Sequence, residues 1–414
     1  MNALDQAARW RAAAPRLSVL PWLEASAALL VLLLYSQALL GKLFAPEGGG
    51  EAPVLRLIWP PVYLLTLVLI AGRPAQVLSL AVRAWPILLL VALAGVSVLW
   101  SIDPGVTMRR ALAVTMNTAF ALWLASRFSW ADIARLVAGA FALLAAGSVL
   151  AAVLAPGFGV MQTVHPGAWS GLWFEKNSLG GMMALGALAA SVASATAPQR
   201  ERDAWRILAA LCVVLVVLST SRTAMMAALI GVGGPVMIAI ARRGFDFAAA
   251  AIVATATVML LFAAVLATGP GAFLEAIGRD PTLTGRTDIW QALARAVAER
   301  PWTGYGYAAF WEVEGGPAFW IRQETAWDVP TAHNAWLEIA LALGLPAAAL
   351  AALIYLAALM RALSGLFRGP AAYWALPFLA MWGLVSFSES NLLGQNTLSW
   401  VVFAATASKL SARP

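Results

Sequence analysis

Long apolar runs, broken by short polar connections, fill most of the chain. A helix that crosses a bilayer needs about 20 consecutive, mainly apolar residues. About twelve stretches have that character, with cores near 23–42, 54–72, 84–101, 110–126, 133–155, 178–196, 204–220, 222–241, 246–268, 334–360, 371–388 and 395–411. The break between the seventh and eighth, at Ser221-Arg222, is the shortest. The pattern predicts an all-α integral membrane protein, a polytopic bundle of about 12 transmembrane helices. Residues 1–268 would hold helices 1–9, residues 269–332 one substantial extramembrane loop, and residues 333–414 helices 10–12.

Composition agrees. The chain is 62% hydrophobic and 11% charged, whereas a soluble domain is about a quarter charged. So much apolar surface cannot be hidden from water. The single cysteine, Cys212, lies inside an apolar run, so no disulfide can form within the chain. There is no Walker loop, no HExxH and no paired histidines for zinc, so no cofactor and no metal site are expected. Arg9, Arg11 and Arg16 precede the first apolar run as in a signal peptide, but no small-residue cleavage site follows. This run is expected to stay as the first membrane helix.

The net charge of +7 is spread through short loops. That suits membrane topology and not nucleic-acid binding. With the N-terminus inside and the spans alternating, Arg73, Arg83, Arg127, Arg135, Arg200, Arg202, Arg206, Arg242, Arg243, Arg361, Arg368, Lys409 and Arg413 all fall on the inner face. This is the positive-inside pattern, and it predicts that both termini are cytoplasmic. Lys42, Arg56, Arg109, Arg110, Lys176, Arg222, Arg279, Arg286, Arg295, Arg300 and Arg322 fall outside and need another explanation. For Arg109 and Arg110 the alternatives are phosphate steering and a helix-end anchor.

Two outward loops are long. Residues 156–177 carry His165, Trp169, Trp173, Glu175 and Lys176. Residues 269–332 hold a predicted amphipathic helix over Thr287–Glu299, with Ile289, Leu293 and Val297 on one stripe and Asp288 in its first turn. Nine aromatic residues crowd this segment between Trp290 and Trp327, which predicts that it lies against the outer leaflet.

Four groups stand at outward ends of apolar segments: Lys176, Arg222, Arg286 and His333. A charge near hydrocarbon is costly unless it is paired or faces a polar cavity. Arginine offers a planar fork suited to phosphate oxygens, so two arginines and a lysine on one face could hold a pyrophosphate. Each also has a plainer reading. Arg286 could solvate a helix start, Lys176 could pair with Glu175, and His333 could be an interfacial hydrogen-bonding residue. His165, before Pro166, reads as structural, and Glu389 with Asn391 gives only a weak signal for the same cavity.

The stretch His333-Asn334, nine residues, Gly344, two residues, Ala347 resembles the signature of the O-antigen ligase and Wzy-type polymerase superfamily. The family has Gly, Thr or Tyr at the last position, so Ala347 departs from it at a helix-packing site. Gly285-Arg286-Thr287-Asp288, continuing to Arg300-Pro301-Trp302-Thr303-Gly304-Tyr305-Gly306, is similar to the family's outer-loop helix and turn. Ser221-Arg222-Thr223 looks like its arginine at a helix start, and Phe174-Glu175-Lys176-Asn177 like the lysine-asparagine loop of exopolysaccharide members. The motifs run in order over about 165–350.

The resemblance implies a GT-C-like, metal-independent glycosyltransferase in the bacterial inner membrane, with its active site on the periplasmic face. The donor would be a glycan linked through pyrophosphate to undecaprenyl lipid; the acceptor would be a sugar hydroxyl on a glycan or on lipid A–core. Arg222, Arg286 and His333 would be catalytic, with Lys176, Asn177, Asn334 and Glu175 binding pyrophosphate or sugar. A chain-length regulator is an expected partner. The lysine-asparagine loop leans toward a polymerase of exopolysaccharide or O-antigen repeats, with the ligase as alternative. A transporter or flippase is the rival class. It would need basic groups on both faces and paired Gly/Pro-interrupted segments, and neither is evident.

Overall fold

The structure, a computed structural model, describes residues 19–44, 54–244, 246–250, 253, 257, 286–325 and 328–412. Arg9, Arg11, Arg16, Arg279, Trp327, Arg413, most of the predicted span at 246–268 and the 269–285 part of the outer loop lie outside them, as do the side chains of Arg286 and Thr287. The described residues are helical throughout, apart from loops and one isolated bridge between Val160 and Trp169.

In chain order the helices are α1 (Val19–Tyr35), α2 (Leu40–Phe44), α3 (Leu55–Ala71), α4 (Pro74–Arg83), α5 (Trp85–Val96), α6 (Pro104–Arg127), α7 (Trp130–Leu154), α8 (Pro156–Gly159), α9 (Lys176–Thr196), α10 (Gln199–Leu218), α11 (Arg222–Ala241), α12 (Arg286–Glu299), α13 (Pro317–Thr325), α14 (Ala335–Ser364), α15 (Ala371–Ser386) and α16 (Leu398–Ser411). Every predicted apolar core except 246–268 therefore contains a described helix. Among the described residues, α7, α9, α11 and α14 are each long and apolar enough to cross a membrane. A fifth span results if α3 and α4, bent by 99° at their junction, count as one. The apolar pattern did not separate α4 from its neighbours. Pro74 starts it, and Val77 and Leu80 are the face it buries.

α9 is the packing centre. Two-thirds of its apolar window is enclosed (67%), because glycine and alanine let neighbours approach closely, as membrane helices require. A methyl at Gly186 would stand 3.0 Å from Cys212 Sγ of α10 and 2.8 Å from the Phe141 ring of α7. Aromatic packing takes over elsewhere. Trp123, Trp374, Trp400, Phe378 and Phe403 are almost wholly buried. Two of the indoles find hydroxyls in the apolar interior: Trp400 Nε1 donates to Thr118 Oγ1 and Trp374 Nε1 to Thr406 Oγ1, both at 3.0 Å. Leu57, Leu154 and Leu229, by contrast, are each more than 70% exposed, as lipid-facing side chains would be.

Helix directions follow from pairs of contacts. Gly180 lies against Ala224 and Gly231 against Leu188, so α9 and α11 run parallel, with Lys176 and Arg222 at the same end. Arg242 stacks over the Tyr373 ring and Gly234 meets Pro377, so α15 runs antiparallel to α11 and finishes at that end. Trp336 Nε1 donates to Ser386 Oγ at 3.1 Å, which brings the start of α14 to the same place. At the opposite end, Glu24 pairs with Arg73 at 3.0 Å and Arg127 at 2.5 Å. Lys409 donates there to the carbonyls of Ala125 and Phe128 around the end of α6.

Candidate active site

The segment expected to lie outside, here called the outer segment, is built on α12. Ile289, Leu293 and Val297 are all buried, as their spacing predicts, and Asp288 stands in the first turn. The aromatic residues behave differently from the sequence reading. Tyr305, Tyr307, Phe310 and Trp311 are buried within the protein and do not lie at a lipid surface. Only Trp302, Phe319 and Trp320 are exposed among the described ones, because the segment folds back onto α5, α6 and α14.

The turn after α12 enters a break in α14. Gly344 has φ 83° and ψ 173°, a conformation that only glycine tolerates, and Pro346 removes a further donor. The freed backbone groups are not left bare. Tyr305 N donates to Leu341 O at 2.8 Å, Gly306 N to Ala342 O at 3.0 Å, and Leu345 N to Pro301 O at 2.7 Å. The same turn is held from its other side: Ile102 N donates to Tyr305 O at 3.0 Å and Trp100 Nε1 to Thr303 O at 2.8 Å. Two sequence motifs, one around Pro301–Gly306 and one around His333–Gly344, thus form a single interlocked unit.

His333 precedes this broken helix with φ 47°, in the left-handed region. A non-glycine residue there carries about 1–3 kcal/mol of strain and is held by its surroundings. Asn334 supplies part of the hold, its Oδ1 accepting from Trp336 N and Leu337 N at 3.0 and 3.2 Å. In the structure Asn334 is thus the cap of α14. Glu338 supplies the rest. Its carboxylate accepts from Trp311 Nε1 at 2.7 Å, Ala332 N at 2.9 Å and Ser390 Oγ at 3.2 Å. One half-buried carboxylate joins the 301–325 segment, the residue before His333 and the loop after α15. The His333 Nδ1 lies 3.8 Å from Glu389 Oε2. Trp290 Nε1 donates to Ala332 O at 2.9 Å. Arg286 begins α12 one turn before Trp290, which puts its register position on the same helix face.

Lys176 and Arg222 form the second half. Lys176 Nζ donates to Thr220 Oγ1 at 3.2 Å, and its charge lies within electrostatic reach of Arg222. Thr220 has φ 53°, unusual for a β-branched residue, and makes the turn that starts α11. Glu175 is the residue before α9 and Asn177 lies in its first turn; neither Glu175 nor Ser221 caps its helix through the side chain. Lys176 and Arg222 are each the first residue of a helix. That is the position the helix dipole makes least favourable for a cation, by roughly 0.3–1 kcal/mol. Helix stability does not explain this placement. Positive charges and helix N-termini together make a strong anion-attracting end.

Lys42 and Arg110, two of the charges expected outside, serve as anchors. Lys42 Nζ donates to Ser170 Oγ and Gly171 O, each at 2.9 Å, and to Phe158 O, fixing the 156–171 loop. Arg110 donates to Ala308 O at 3.1 Å and pairs with Glu312 at 2.9 Å, which favours the helix-end anchor over phosphate steering. His165 is exposed in its loop. Burial, and then the Lys176 cation, hold its imidazole below the ordinary value, against a smaller upward pull from Glu175. Glu338 was missed in the sequence; its only signal was a carboxylate on the first turn of an otherwise apolar helix.

The described residues are thus those of a helical membrane protein with long apolar spans, with Lys176, Arg222 and a strained His333 at one end. A family model described as O-Antigen ligase matches residues 207–352. The chain is also 27% identical, over 322 residues, to the exopolysaccharide production protein ExoQ of Rhizobium meliloti (strain 1021), covering 72% of this chain and 68% of that protein. Both matches support the resemblance to the O-antigen ligase and Wzy-type polymerase superfamily.

Proposed function

We propose that the protein is a membrane glycosyltransferase. It would transfer a glycan from undecaprenyl pyrophosphate to an acceptor hydroxyl on the periplasmic face of the inner membrane. The observation that carries this reading is the placement of Lys176 and Arg222 as uncapped helix-start cations at the end of the bundle where His333 and Glu389 meet. The finer topology belongs to the same proposal: about twelve spans over 1–268 and 333–414, a periplasmic loop over 269–332, and both termini cytoplasmic.

In this mechanism the bond between the anomeric carbon and the pyrophosphate oxygen breaks, and the electron pair leaves with the pyrophosphate. Arg222, Arg286 and Lys176 stabilise that charge. The acceptor oxygen bonds to the anomeric carbon and gives its proton to His333. Glu389 faces the imidazole and would stabilise it once protonated. Asn177 and Glu175, at the start of α9, are the candidate sugar contacts.

Polymerisation of exopolysaccharide or O-antigen repeats is the first reading, supported by the ExoQ relative; ligation to lipid A–core is the second, supported by the family description. A chain-length regulator would be a partner of the first only. The test uses cells lacking the chromosomal copy. His333→Ala and Arg222→Ala should each abolish the product while the protein stays in the membrane, and normal free polymer together with normal lipopolysaccharide O-chain from either variant rejects the assignment. Loss of lipopolysaccharide O-chain with intact free polymer would point to the ligase.

A further inference from the structure

We propose that the groove between α12 and α13 is a binding subsite for the growing glycan, apart from the pyrophosphate end. The inference rests on the glycosyltransferase reading. Ala296, Glu299, Gly315, Trp320, Ile321 and Glu324 line the groove, with Arg295 on its rim. Trp320 is 67% exposed, and the Phe319 ring stands edge-on to it at 5.3 Å, which steadies its flat face. Arg295 and Glu324 form an ion pair across the groove and remain more than half exposed.

These groups match a sugar ring. A hexose offers an apolar C–H face and a rim of hydroxyls. An exposed indole takes the face, and carboxylates with a planar guanidinium take pairs of hydroxyls. Gly315, at φ 66° and with open space where a Cβ would be, leaves the floor low. Trp320 shares its groove with Arg295, Glu299 and Glu324, which supply the polar partners that a sugar needs.

Both walls connect to the candidate active site. Glu299 accepts from Tyr305 Oη at 2.8 Å, and Tyr305 belongs to the turn seated in the break of α14. Arg322 of α13 donates to Val329 O at 3.1 Å and Trp311 O at 3.4 Å, and Trp311 donates to Glu338. Sugar held in the groove would be kept beside the transfer site between successive additions.

The test compares Trp320→Ala, Trp320→Phe and Glu324→Gln in the full chain. The probe is a set of oligosaccharides made by partial hydrolysis of the host strain's own polysaccharide, titrated calorimetrically against purified protein in nanodiscs. Trp320→Ala should bind about tenfold more weakly, the factor expected for a lost stacking contact, and should shorten the polymer in cells. Trp320→Phe should bind within about twofold of wild type, and Glu324→Gln should fall between. Unchanged binding and polymer length in Trp320→Ala overturn the groove, as does a variant whose only change is loss from the membrane fraction, which would mark a lipid anchor. A wild-type protein that makes no polymer and binds no oligosaccharide fails the functional reading itself, and the groove falls with it.

Discussion

The backbone of Gly344 lies against the backbone of Trp302 so closely that an added Cβ would stand 2.5 Å from its carbonyl carbon and oxygen. This contact closes the seam between the outer segment and α14. It exists because Gly344 takes a conformation other residues cannot hold.

Gly344→Ala should therefore cost about 2–4 kcal/mol, from backbone strain plus overpacking. Gly181→Ala is the control, since its Cβ would meet nothing within 4 Å. Thermal unfolding of the purified proteins checks this. A Gly344→Ala midpoint equal to that of the control would mean the seam is open in solution.

Glu338→Gln should act through His333. The amide cannot accept from all three donors, so at least one of Trp311, Ala332 and Ser390 loses its partner, at about 1–3 kcal/mol. As a positioning residue, Glu338 should change kcat by about tenfold or more and leave the donor KM unchanged. A raised KM at normal kcat would place Glu338 in substrate binding instead.

Arg222→Lys keeps the charge and loses the planar fork. If the guanidinium spans two pyrophosphate oxygens, the rate falls by about tenfold, and Arg222→Ala falls further, by about a hundredfold or more. Single-turnover transfer from a lipid-linked donor would measure both. Equal rates for wild type and Arg222→Lys would leave Arg222 a simple point charge.

His165 offers a spectroscopic check on the Lys176 loop. Its imidazole is held below the ordinary value by burial first and by the Lys176 cation second. Lys176→Met removes only the second cause, so the His165 midpoint should rise. With two histidines in the chain, ring-proton NMR can follow it directly. The sign for stability follows from the same shift. As pH falls through the imidazole range the unfolded chain takes the proton more readily than the folded one, so this residue subtracts stability in acid and nothing above that range. A midpoint that stays put in Lys176→Met would separate the two side chains.

Much of this was legible from local pattern. Apolar period and length marked the helices, and the Ile289–Val297 stripe marked α12 and its buried face. Charge placement singled out Lys176, Arg222 and His333 because cations near hydrocarbon are rare. What could not be read were contacts distant in the chain. Lys42 and Arg110 stood among the charges expected outside and in need of an explanation, yet their partners are carbonyls, a hydroxyl and a carboxylate more than a hundred residues away. Glu338 was hidden for the same reason. Trp311 and Ser390 lie far from it in sequence, and nothing in its own helix announces them. The buried aromatics misled because amphipathic rings suit a lipid headgroup and a protein interior equally well.

The break at Gly344 also has a consequence for making hybrids with relatives. The stretch from Ala335 to Leu343 is bonded to the 301–306 turn and only then continues into the bundle beyond Leu345. His333 thus travels with the outer segment as one cassette. A chimaera joined at residue 332 would split that cassette between two parents, while one joined just after Leu345 would inherit it whole.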